Sequence, residues 1–130
     1  YKLYHLDSGI IYRRISKLII KKNIDYNNIK LLNKFLKEIK NISSRSHYTL
    51  RSEKIGMIAS KIAIIKSIRN FINKNQKLIV SYKLKQFRGC VIDGRDIGSK
   101  VFKDAKIKLY IECNSEIRAK RRHKQLIASG

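Results

Sequence analysis

The order of periodic segments along the chain predicts an α/β layer fold built on a parallel sheet. Three observations carry this expectation. Strand-like runs occur at residues 1–6, 90–93 and 105–113; long stretches of helical apolar period separate the first two; and turn residues follow both directly, Asp-Ser-Gly after the first and Gly-Arg-Asp after the second. In such folds ligands bind beyond the carboxyl ends of the strands, so the loops that follow them are where chemistry is expected.

Taken in order, "YKLYHL" mixes Tyr and Leu as a strand does and runs into "DSG", a turn composition that delivers Ser8 and Gly9 to a loop. In "IIYRRISKLIIKKN" the residues Ile11, Ile15, Leu18 and Ile19 recur at helical spacing, which leaves Tyr12 and Arg13 in the first turn near the loop mouth. Asn23 to Asn28 is a break. The helical period resumes in "IKLLNKFLKEIKNI", with Leu32, Phe35, Leu36 and Ile39 on one face, and "SSRSHYT" (43–49) is a polar loop.

From Ser52 a helical pattern runs through Ile55, Ile58, Ala59, Ile62, Ile65, Ile68 and Ile72, long enough to bend near 64–67 or 74–77. Ser60 and Arg69 are separated by about two and a half helical turns and project from opposite sides unless the helix breaks near Ile65. "RGCVIDG" then supplies a short β-branched run and a turn glycine at 94, and "AKIKLYIEC" alternates as a further strand. "NSEIRAKRRHKQLI" opens the last helix, with Asn114 or Ser115 as N-cap and Glu116 where a negative charge suits the helix dipole.

At 130 residues the chain is one domain or part of one. Lys and Arg number 31 against 9 acids, for a formal charge of +22. That excess points to phosphate-bearing partners, but 23 Ile and 21 Lys against 5 Ala, 6 Gly and no Pro read as AT-rich codon pressure. The ten arginines therefore inform more than the lysines. Cationic pairs at 13, 21 and 121 are scattered, which favours a solvated surface over a nucleic-acid patch. No apolar run reaches the ~18 residues of a membrane span and no secretory leader opens the chain, so the cytoplasm is the default setting. A chain that starts at Tyr1 with its one Met at 57 is expected to be a piece of a longer product. Cys90 and Cys113 read as buried thiols of a reducing compartment. His5, His47 and His123 have no partner at ligand spacing and receive no role.

"VIDGRDIG" (91–98) spends two of the nine acids around one arginine. If 90–93 is a strand, Asp93, Arg95 and Asp96 open at its carboxyl end, as Asp7 does at the end of the first. Acids beside Arg13 and Arg95 suit a pocket that holds an anion together with a donor group or a metal. An Asx-turn with a local Asp to Arg ion pair fits the same residues.

Three segments, "LDSGIIYRR", "LRSEKIGMIASKIAIIKSIR" and "VIDGRDIGSKVFKDAKIKLYIECNSEIRAKRRHKQL", resemble in order and spacing those of bacterial cytidylate kinases. The resemblance spans nearly the whole chain and is weakest over 24–50, where the family's substrate-binding insertion is abbreviated. It implies the P-loop NTPase-like nucleoside monophosphate kinase fold, with a parallel sheet and a helical NMP-binding insertion, incomplete at both ends. The implied division is core at 1–25, NMP-binding helices at 26–85, and core strands with the start of the lid at 86–130.

The implied reaction moves the γ-phosphoryl group of ATP to CMP or dCMP, with Mg²⁺ accompanying ATP, in a monomer that needs no membrane or nucleic-acid partner. By the same resemblance Ser8, Tyr12, Arg13 and Arg95 hold the acceptor phosphate, and Ser60, Arg69 and Asp96 read the cytosine. Asp93 organises the magnesium shell through water, Arg95 and Asp93 forming the catalytic pair. Arg118, Arg121 and Arg122 on the lid face the ATP phosphates. The G-x-x-x-x-G-K-[ST] phosphate loop of such kinases does not occur in these 130 residues. The isolated chain is accordingly expected to be inactive and poorly stable. A catalytically dead remnant and a basic RNA-binding module are the alternatives; against the latter stand the clustered acids and the lack of an aromatic stacking platform.

Overall fold

A computed structural model describes residues 2–45 and 47–128. The element order is β1 (Leu3–Asp7), α1 (Ser8–Lys21), α2 (Ile29–Glu38), α3 (Glu53–Ile62), α4 (Lys66–Lys83), β2 (Gly89–Asp93) and α5 (Ser115–Ala128). A 3₁₀ turn at Tyr48–Arg51 and a π-helical turn at Ile97–Val101 complete it. The polar loop at 43–49 contains Ser46, and the first strand expectation includes Tyr1; both lie outside the described residues.

β1 and β2 pair in parallel, in a register that sets Leu3 opposite Gly89 and Asp7 opposite Asp93. Four helices make the crossover between them, which parallel strands require. The two strands therefore end level, each on an aspartate.

Local chemistry explains the helices. Asp7 caps α1 by accepting the Ile10 amide on its side chain at 3.2 Å, and Asn28 caps α2 in the same way through Leu31. Capping by Asp7 draws Ser8 and Gly9 into the first turn of α1, so the expected loop at "DSG" is instead the helix start. The apolar faces read from the period are the buried ones. Ile11, Ile15 and Ile19 of α1 join Leu32, Phe35 and Leu36 of α2, Ile62 of α3, Ile68, Ile72 and Val80 of α4, and Leu6 of β1 in one core. α1 packs on α3, and α2 on α4. Burying such side chains contributes roughly 1.5–3 kcal/mol each.

The long helical pattern does break between Ile62 and Lys66, but only there. The second expected bend does not form, because Gln76 turns inward among the buried residues of α4 and Asn75 bonds back to the Phe71 carbonyl within the continuous helix.

Two further expectations fail. "AKIKLYIEC" is not a strand: among the described residues it pairs with no strand, and Ile107, Leu109, Tyr110 and Ile111 are about four-fifths exposed or more. Alternation alone does not make a strand when no ladder receives its amides and carbonyls. Cys90 and Cys113 are unpaired but only half-buried, Cys113 because it lies at the end of that uncovered segment. No helix among the described residues is long and apolar enough to cross a membrane.

Candidate functional site

Level strand ends bring the loop after β2 against the start of α1. Gly94 is what allows the approach: a Cβ there would sit 2.8 Å from Ile97 Cγ1 and 3.0 Å from Ser8 Cβ. A side chain at this position would push the two apart.

Behind Gly94, the loop enters the π-helical turn, and Asp96 at its head is held from two directions. Arg69 of α4 donates through Nη2 to its carboxylate in a short, charge-assisted pair. Lys100, one turn on, approaches the same oxygen at 3.4 Å. The Arg69 hydrogen bond, opposed by partial burial and aided by Lys100, lowers the pKa of Asp96 below the ordinary carboxylate value. Tyr12 stands in the same field. Burial raises its phenol above the usual pKa, Arg69 pulling it down and Asp96 pushing it up, so it remains a neutral donor at physiological pH. Tyr12, Arg69 and Asp96, three residues from three elements, therefore share one place.

Arg13 forms the other half. Its Nη1 donates to the Leu50 carbonyl at 2.9 Å, and it lies over Gly56, where a Cβ would come within 3.3 Å of the guanidinium. Its pKa is lowered by burial first and by Arg122 second, with Asp7 opposing and Arg51 adding to the effect. Three guanidinium groups around one carboxylate leave a local excess of positive charge that an anion would relieve.

The remaining expected residues are placed as follows. Ser8 is buried at the head of α1, its hydroxyl on Gln76 of α4. Ser60 is exposed and donates back to the Gly56 carbonyl at 3.1 Å, with no hydrogen bond to Arg69 or Asp96. Asp93 lies 2.8 Å from Nε2 of His5 across the strand pair, a partner that sequence spacing hid. Arg95 is exposed and makes no ion pair with either neighbouring aspartate. The local Asp to Arg pair is thus excluded for "DGRD", because both acids find partners elsewhere in the fold. Of the three arginines expected on a lid, Arg122 is half-buried and reaches the field of Arg13, whereas Arg118 and Arg121 are exposed.

Four contributors escaped the sequence reading: His5, Arg51, Gln76 and Lys100. Lys100 was discoverable as the i+4 neighbour of Asp96. Gln76 interrupts the buried series Ile68, Ile72, Val80 at its four-residue spacing, a polar exception that periodicity exposes. His5 and Arg51 carry no such signal. Among the described residues no group of three His, Cys, Asp or Glu side chains gathers to hold a metal.

The family model for cytidylate kinase matches residues 1–130. The chain is 34% identical to the cytidylate kinase of Rhizobium meliloti (strain 1021) and 38% identical to that of Rickettsia conorii (strain ATCC VR-613 / Malish 7), over its full length in both. It is 39% identical, over 93% of its length, to a bifunctional pantoate ligase/cytidylate kinase of Prochlorococcus marinus (strain MIT 9312). The chain spans 59% and 56% of the first two proteins and 26% of the third. Because that family model matches the whole chain, whose segments lie in the family's order, the chain belongs to the cytidylate kinase family.

Proposed function

We propose that the protein containing this chain transfers the γ-phosphoryl group of ATP to CMP or dCMP. An oxygen of the acceptor phosphate attacks the γ-phosphorus, the bond to the bridging oxygen breaks, and ADP departs as CDP or dCDP forms. The observation that carries the reading is the Arg69–Asp96 pair beside Tyr12. Cytosine offers an amino donor at N4 and acceptors at N3 and O2, so one carboxylate and one guanidinium match its edge. Uracil reverses the pattern at N3 and position 4 and leaves both groups unmatched. An Asp96 held ionised by Arg69 is an acceptor at every physiological pH.

The acceptor phosphate falls to Ser8, Tyr12, Arg13 and Arg95. Arg13 and Ser8 are oriented by contacts already made, whereas Arg95 is exposed on the loop and, among the described residues, free of ion pairs, which leaves it available to an anion. Ser60 joins Arg69 and Asp96 at the base, and Arg118, Arg121 and Arg122 serve the ATP phosphates. Catalysis of this class rests on alignment and on cations that spread charge, which suits a site rich in guanidinium groups and without an activated nucleophile. Mg²⁺ carried by ATP supplies further charge neutralisation. Asp93, exposed at the strand end with Oδ2 on His5, suits a contact to such an ion through water more than direct ligation. Free thiols at Cys90 and Cys113 support a reducing, cytoplasmic setting, and we assign a monomer divided into core (1–25), nucleotide-binding helices (26–85) and core with lid (86–130).

In the full-length protein, Asp96→Ala is expected to raise the KM for CMP about 10- to 100-fold, the scale of a lost charged hydrogen bond. Inhibition by ribose 5-phosphate should stay unchanged. Equal losses for both ligands would remove Asp96 from base recognition.

A further inference from the structure

The buried series of α4 places Ile68, Ile72, Gln76 and Val80 at four-residue steps on one face. Gln76 is 1% exposed, yet a leucine or methionine would fill such a site without burying an amide. Its Nε2 donates to Ser8 Oγ at 2.6 Å, while its Oε1 is buried with no hydrogen-bond partner. An apolar face that keeps one amide, half of it unsatisfied, is spending stability on the single contact it makes.

That contact has a direction. A serine hydroxyl has one hydrogen and two lone pairs; when a lone pair is taken by an N–H donor, the hydrogen stays available for another acceptor. Turning the amide over would consume the Ser8 proton and leave both of its own N–H donors buried without partners. Ser8 stands in the first turn of α1, beside the Asp7 carboxylate that caps the Ile10 amide, and Gly94 closes on its other side.

We propose that Gln76 is a positioning residue, which locks the Ser8 hydroxyl as a donor aimed at the phosphate of the acceptor nucleotide. This rests on the assignment of Ser8 to that phosphate. Gln76 itself touches no substrate.

The test uses the full-length protein, with CMP and cytidine titrated calorimetrically against wild type, Gln76→Met, Gln76→Glu, Ser8→Ala and the Ser8→Ala/Gln76→Met double variant. Gln76→Met preserves volume and is expected to weaken CMP about five-fold, the scale of one neutral hydrogen bond, leaving cytidine unchanged. Its melting temperature should hold or rise, because an unsatisfied buried acceptor is removed. In the Ser8→Ala background the same change should add nothing. Gln76→Glu, at a pH high enough to ionise its buried carboxyl, can only accept, takes the Ser8 proton and should weaken CMP about ten-fold or more. Equal loss of CMP and cytidine, additive losses in the double variant, or Gln76→Glu binding CMP as wild type does would each overturn the proposal. Normal CMP binding by Ser8→Ala would instead overturn the phosphate assignment, and this inference with it.

Discussion

"YKLYHL" and "AKIKLYIEC" carry similar alternating apolar patterns, and they meet opposite fates. The first becomes β1, with Leu6 fully buried; the second lies extended with Ile107, Leu109, Tyr110 and Ile111 in solvent. What differs is the neighbour. β1 finds β2 across five matched rungs, and its Leu6 joins the core with Ile11 and Ile15 of α1, whereas 105–113 has no ladder among the described residues. Strand propensity is thus a capacity that only a partner realises. The helices repeat the contrast: α1 and α2 are amphipathic and packed, while α5 buries no residue.

The sharpest way to break this comparison is to truncate one side chain on each side of it. Ile62→Ala, at a fully buried position, is expected to cost about 2–5 kcal/mol of unfolding free energy in denaturant titration. Leu109→Ala in the same chain should stay within about 0.5 kcal/mol of wild type. A large effect at Leu109 would mean that the extended segment is covered in solution.

Next in size are the helix caps. Asn28 accepts the Leu31 amide at the head of α2, and Asn114 accepts the Glu116 amide at the head of α5. Asn28→Ala should lower global stability by about 1 kcal/mol. Asn114→Ala should reduce helicity by circular dichroism without moving the melting temperature, because an unpacked helix frays alone.

Acid unfolding gives the smallest expected effect. The folded-state pKa of Asp96 is depressed, so its contribution is fully present above about pH 5 and is lost as pH falls through the ordinary carboxylate range and below. Its side chain is more than a third exposed, so screening keeps the contribution small. Asp96→Asn should flatten the acid limb of a stability–pH curve, and an unchanged limb would show that the pair does not form in solution.

These contrasts also mark what the sequence made legible. The helical faces, the break near Ile65 and the meeting of "LDSG" with "DGRD" follow from local periodicity and from the rule that ligands gather at strand ends. Partner choice did not. Asp96 takes Arg69, 27 residues away, and Asp93 takes His5, 88 residues away, while Arg95 beside both stays unpaired. Such choices depend on how the four-helix crossover closes, which no local window contains. Ser8 was misplaced into a loop for a smaller reason, since Asp7 can end a strand and cap a helix at once.

The interruption between Ile62 and Lys66 has a reach beyond its own few residues. α3 leans on α1, whereas Arg69 in the first turn of α4 is fastened to the loop after β2. Ser60 and Arg69 are therefore carried on separate helices, and the three residues between them set the angle at which the two helices, both packed on α1, present those side chains.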